Sequence, residues 1–158
     1  MKTLASAVAI VICAVSASGT PPEPASVAAD AQVKIAVTVA PRPVSAGSDA
    51  SVTVRLDPKP GIKLNKYPKI KLQIPAVEGL TGSADQSVGN TAPPPADQLE
   101  ANYFHGAVDP LNVTLHLDAD AAAGRHEIHA KLSYFYCVAA SGYCAPAKAE
   151  LKIPVTIH

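Results

Sequence analysis

The sequence carries no surplus of either charge: 13 lysines and arginines stand against 13 aspartates and glutamates. Without a basic or acidic excess, there is no electrostatic case for nucleic acid or a membrane surface as partner. Beyond the first stretch, no apolar run is long enough to span a bilayer. Tryptophan is absent, and no cysteine pair downstream of Cys13 is spaced widely enough to join two sheets, so the usual landmarks of antibody domains are missing. No stretch has good helical periodicity and no internal repeat is visible. A phosphate-binding loop, a Ser-His-Asp set and a paired-carboxylate site are all lacking. So is a Cys-x-x-Cys motif at a helix N-terminus, which would lower a thiol pKa as in thioredoxins.

What is present begins with an export signature. Lys2 supplies a small positive region, Leu4 to Val15 is mostly apolar, and Val15-Ser16-Ala17 and Ala17-Ser18-Gly19 offer small-residue cleavage sites. Cleavage after Ala17 removes Lys2 and no acid, so 13 basic residues become 12 against 13 acidic ones. Cys13 leaves with the peptide; retention of the peptide as an anchor is the alternative. The expected organisation is a signal peptide (1–17), a Pro- and Ala-containing flexible leader (18–32) and one folded domain (33–158). The expected product is a soluble monomer, periplasmic or secreted, with no cofactor, no bound metal, no nucleic-acid partner and no membrane association after cleavage.

Period-two alternation dominates the domain. Val33, Ile35, Val37 and Val39 share one face, as do Val52, Val54 and Leu56, and Ile70, Leu72 and Ile74. Leu111, Val113, Leu115 and Leu117 form a fourth set. Ile128, Ala130, Leu132, Tyr134 and Tyr136 form a fifth, and Ala149, Leu151, Ile153, Val155 and Ile157 a sixth. Half-buried strands produce this pattern because successive side chains point to opposite faces. Turn signals at Pro41-Arg42-Pro43, Pro58 to Gly61 and Asp118 to Gly124 separate them, and residues 81–98 read as one long irregular loop. The expected fold is an all-β, immunoglobulin-like antiparallel sandwich.

The chemistry concentrates in YFYCVAASGYCAP, residues 134–146. Export predicts that Cys137 and Cys144 form a disulfide at least part of the time. Ser141-Gly142 favours a turn between them, placing the two cysteines opposite each other on a β-hairpin. The ring closes over eight residues, for which chain entropy allows about 2.5 kcal/mol of stabilisation. Three readings of the pair remain open on the residues alone: a modest staple, a redox-exchanging bond, or a metal clip. Metal is the weakest, because His126 and His129 face opposite ways on a strand and His105 and His116 have no evident place beside the thiols. The lysines at 59, 63, 66, 69 and 71 read as a solvated strand edge.

GRHEIHAKLSYFYCVAASGYCAPAKAELKIPV (124–155) resembles the end of the N-terminal periplasmic domain of the DsbD thiol:disulfide interchange family. In that family a strand, a cysteine, a short loop with a Gly-aromatic pair, a second cysteine, a proline and a closing strand follow in order. DPKPGIKLNKYPKIKLQIP (57–75) and NYFHGAVDPLNVTLHL (102–117) are similar to its early extended segment and its cap segment. The resemblance implies an immunoglobulin-like domain whose cysteine pair passes electrons between a thioredoxin-like donor and an oxidised acceptor, an oxidoreductase-type electron carrier. It implies that Cys144 forms the mixed disulfide, that Cys137 resolves it, and that Phe104, with Tyr103 beside it, caps the pair. It further implies a thioredoxin-like periplasmic partner acting in trans. The loop between the cysteines is one residue longer than the family pattern, and Asn102 and Tyr103 stand where acidic residues flank the family's cap aromatic. The alternative is a non-catalytic immunoglobulin-like binding or structural module with a local structural disulfide.

Overall fold

The structure, a computed structural model, describes residues 32–81 and 84–158. The expected signal peptide lies outside the described residues, as does the expected leader except for Gln32. Nine strands are described: β1 (Val33–Ala40), β2 (Asp49–Pro58), β3 (Ile62–Leu64), β4 (Ile70–Ile74), β5 (Leu80–Thr81), β6 (Ala84–Val88), β7 (Leu111–Leu117), β8 (Gly124–Val138) and β9 (Tyr143–Ile157). One short 3-10 turn, Leu99–Asn102, interrupts the long connection into β7. Among the described residues no helix is long and apolar enough to cross a membrane.

The strands form two antiparallel sheets. One has the order β1-β2-β7-β5. In the other, β9 pairs with one edge of β8, while β3 and β4 pair in succession along its opposite edge and β6 lies outside β4. Taking β3 and β4 as one interrupted strand, this is the strand order of an immunoglobulin-like sandwich: four strands face a sheet built around a long central strand. The interruption falls at residues 65–69, where Pro68 cannot donate to a ladder.

The alternating sets make this architecture because each strand must hide one face. In β1 the odd positions Val33, Ile35, Val37 and Val39 are buried; in β8 the even positions Ile128, Ala130, Leu132 and Tyr134 are. These inner faces meet in one core, joined by Leu115, Leu117, Leu151 and Ile153. At about 25 cal/mol per Å² of apolar surface, each valine, leucine or isoleucine among them contributes roughly 1.5–3 kcal/mol, offsetting the entropy of ordering the chain.

Two expectations need correction. Residues 81–98 are not one irregular loop, since β5 ends and β6 lies within them. β6 pairs with β4 at the rim of its sheet, and Asp85, Gln86 and Ser87 are exposed, so backbone pairing defines it and no apolar alternation marks it. Nor do the lysines share one strand edge: Lys63 lies on β3, whose ladder pairs with β8 only, whereas β4 is an inner strand between β8 and β6. Lys71 points outward from it, while Lys63 and Lys66 are half-buried.

Candidate functional site

The β8–β9 hairpin carries the cysteines. Its strands reverse through Ala139–Gly142, where the Gly142 amide donates to the Val138 carbonyl at 2.9 Å. Gly142 has φ 68°, a left-handed conformation that costs glycine little. The register pairs Val138 with Tyr143 and Cys137 with Cys144. The facing Cα atoms lie 4.0 Å apart and the sulfurs are bonded. The expected pairing across a hairpin is therefore what the fold provides.

The two sulfurs live in different surroundings. Alternation along β8 sends Tyr134 inward and Cys137 outward, to the face that also bears Lys131 and Ser133. An outward residue near a hairpin turn should be wet. Cys144 is exposed, but Cys137 is only 3% exposed. The sandwich core does not bury Cys137; a separate segment laid over the outer face does.

That segment is a lid built from the 3-10 turn and the two residues after it. Backbone bonds fasten it along the β3 end: the Phe104 amide donates to the Leu64 carbonyl at 3.0 Å, and the Lys66 amide to the Asn102 carbonyl. Asn65 and Tyr103 form an isolated antiparallel bridge. The Asn102 side chain clamps the backbone of Tyr67 from both ends, accepting from its amide at 2.9 Å and donating to its carbonyl at 3.0 Å. Lys63 ties the outside, with Nζ 2.9 Å from Glu100 Oε2 and 4.7 Å from the centre of the Tyr103 ring. The incoming loop is seated by Asn90, whose amide donates to the Lys66 carbonyl at 2.7 Å. At Gly89 next to it, φ is 122° and a Cβ would collide with that same carbonyl.

Under the lid two polar side chains reach the buried sulfur. Tyr103 Oη is 3.6 Å from Cys137 Sγ, close enough for its hydroxyl to donate weakly. Asn65 Oδ1 is 3.4 Å from the same sulfur. A disulfide sulfur carries no hydrogen, so this second approach is a contact and not a hydrogen bond in the oxidised protein. Asn65 is the one buried polar residue among those described, 8% exposed. Phe104 is half-buried against the core, with Lys66 Nζ 5.9 Å above its ring. The polar contact with the sulfur within the Tyr103-Phe104 pair comes from Tyr103.

His116, His126 and His129 have partners other than the cysteines. His116 pairs with Asp49, His129 with Glu127, and His126 Nε2 lies 2.7 Å from the Ala122 carbonyl oxygen. Among the described residues no group of three His, Cys, Asp or Glu side chains could hold a metal ion. Among the described residues, the mostly exposed large apolar side chains are Tyr143, next to Cys144 in the chain, and Leu99, at the start of the lid. No protein-family model, curated protein or solved structure matches this chain.

Reasoning from sequence did not single out Asn65 or Lys63 as site residues. The signal available was weak: a carboxamide and a lysine at outward positions of a short alternating stretch. Only the pairing of Lys63 with Cys137 across β3 and β8 brings them to the site.

Proposed function

We propose that this protein is a thiol–disulfide exchange module that passes electrons between a thioredoxin-like donor and an oxidised acceptor through Cys137 and Cys144. The observation that carries this reading is the asymmetry of the bond. A purely structural disulfide gains nothing from one exposed sulfur and one sealed sulfur on a hairpin already held by its own ladder. Exchange needs one accessible sulfur, which a thiolate can approach in line while the other departs, and the asymmetry directs the attack to one of the two. The exposed sulfur is that of Cys144, which also occupies the position that the DsbD-like resemblance assigns to the mixed disulfide.

The step balances as follows. A partner thiolate attacks Cys144 Sγ, a partner–Cys144 disulfide forms, the Cys144–Cys137 bond breaks, and its electron pair leaves on Cys137 as a thiolate. A second partner thiol then displaces Cys144, so the partner is oxidised to its disulfide and this protein is left as a dithiol. Run backwards on an oxidised acceptor, the same steps deliver the electrons. Tyr143, the exposed chain neighbour of Cys144, and Leu99 at the start of the lid supply exposed apolar area for transient docking. Phe104 and Tyr103 belong to the lid that limits access by other thiols.

The test is a trap. With Cys137→Ala, reduced Cys144 should capture an oxidised thioredoxin-type protein as a lasting mixed disulfide, whereas Cys144→Ala should trap far less. Equal trapping by both variants removes the assignment of roles. Should no thioredoxin-type protein exchange with the wild-type pair, the structural-module alternative replaces this reading.

A further inference from the structure

Under the lid, Tyr103 Oη and Asn65 Oδ1 lie 3.6 Å and 3.4 Å from the Cys137 sulfur. We infer that Asn65 and Tyr103 hold the departing Cys137 thiolate, making Cys137 a stabilised leaving group and favouring the dithiol over the disulfide. This rests on the exchange reading above and adds the groups that set its energetics.

The argument starts from Asn65. Burying a carboxamide is costly unless it is hydrogen-bonded, and buried polar groups are as a rule satisfied. Its Oδ1 faces Cys137 Sγ at 3.4 Å, yet the disulfide has no proton to give it. Reduction supplies the missing complement in either protonation state. A neutral Cys137 thiol donates to Oδ1. A thiolate accepts from Nδ2 once the carboxamide turns over, since the group presents an acceptor at one end and donors at the other. Tyr103 adds a hydroxyl 3.6 Å from the same sulfur that can donate to it in any state and does so most strongly to the anion.

The charged and titratable neighbours act in the same direction or are neutralised. From β3, Lys63 lies over the Tyr103 ring and is paired with Glu100 of the lid. From β9, the facing group is Cys144 itself. Among the described residues, the polar side chains within hydrogen-bonding reach of the Cys137 sulfur are Tyr103 and Asn65, neither of them a carboxylate that would repel a thiolate there. A leaving thiol of lower pKa leaves faster, and a reduced form stabilised relative to the disulfide makes the pair more readily reduced. Burial alone would do the reverse, raising a thiol pKa in apolar surroundings; the two polar contacts are what oppose it.

The experiment uses the full chain. In a Cys144→Ser background the lone Cys137 thiol is titrated by the ultraviolet absorbance of its thiolate. In the wild-type background the disulfide–dithiol equilibrium is measured against glutathione. Asn65→Ala and Tyr103→Phe should each raise the pH midpoint of Cys137 ionisation and shift the glutathione equilibrium toward the disulfide by roughly tenfold, the worth of one hydrogen bond to a charged group. Asn65→Asp, which sets a carboxylate against the thiolate, should shift both further. Tyr103→Phe keeps the ring and its contact with Lys63, so it reports on the hydroxyl alone even if an Asn65 variant folds poorly. If Asn65→Ala and Tyr103→Phe leave both quantities within about twofold of the parent, the pocket is only packing and the inference is overturned. Both readouts are independent of a protein partner. A shifted thiol in a protein that exchanges with no thioredoxin-type partner would uphold the pocket while the carrier reading fails.

Discussion

The two faces of β8 are buried by different means. On the inner face Ile128, Ala130, Leu132 and Tyr134 are covered by the opposite sheet, as any sandwich requires. On the outer face Cys137 is covered by a lid of a few residues held by hydrogen bonds and one exposed ion pair. The first kind of burial is as stable as the fold. The second rests on a few hydrogen bonds, one ion pair and the packing of Phe104, so less is lost if it opens than if the core does. The Cys137 sulfur is thereby kept from solvent by contacts separate from those that bury the inner face.

Substitutions on the two faces should therefore separate. The largest effect is expected from Leu132→Ala, which removes a fully buried side chain. It should lower unfolding free energy by about 2–5 kcal/mol, measured by denaturant titration, and lower it equally in the oxidised and reduced protein. A marked dependence on redox state would mean that the core and the disulfide are one cooperative unit. Next comes Asn102→Ala, which removes the clamp on Tyr67. It should weaken the lid by about 1–2 kcal/mol and speed reduction of the disulfide by a small thiol several-fold, with little change in global stability. Phe104→Ala should act in the same direction on that rate. An unchanged rate in folded Asn102→Ala protein would show that the lid does not govern access to the sulfur. The smallest effect belongs to Glu100→Gln. The Lys63 and Glu100 side chains are 39% and 74% exposed, and such a pair is worth under about 1 kcal/mol. Reduction rates should shift only slightly and lose their residual difference at high salt, where surface charges are screened.

The alternating sets were legible because burial of one strand face leaves a period-two trace that neighbours in sequence carry by themselves. The six sets correspond to β1, β2, β4, β7, β8 and β9. The strands that left no trace are the short β3 and β5 and the rim strand β6, which bury too little to need a pattern. The facing cysteines were also legible, because a hairpin is local and Ser141-Gly142 marks its turn. Cys137's burial was not legible. By parity it points outward, and nothing within the hairpin says that residues 99–104 cross over it. Asn65 was silent for the same reason, lying 72 positions from the sulfur it meets.

The sequence by itself thus determined the class of fold, the pairing of Cys137 with Cys144 and the turn between them, all set by side-chain alternation and contacts between near neighbours in the chain. Tertiary structure alone decided which sulfur is exposed, which side chains surround the other, and what covers it. Those properties depend on contacts between segments far apart in the chain, which strand register and loop path create and no local pattern records.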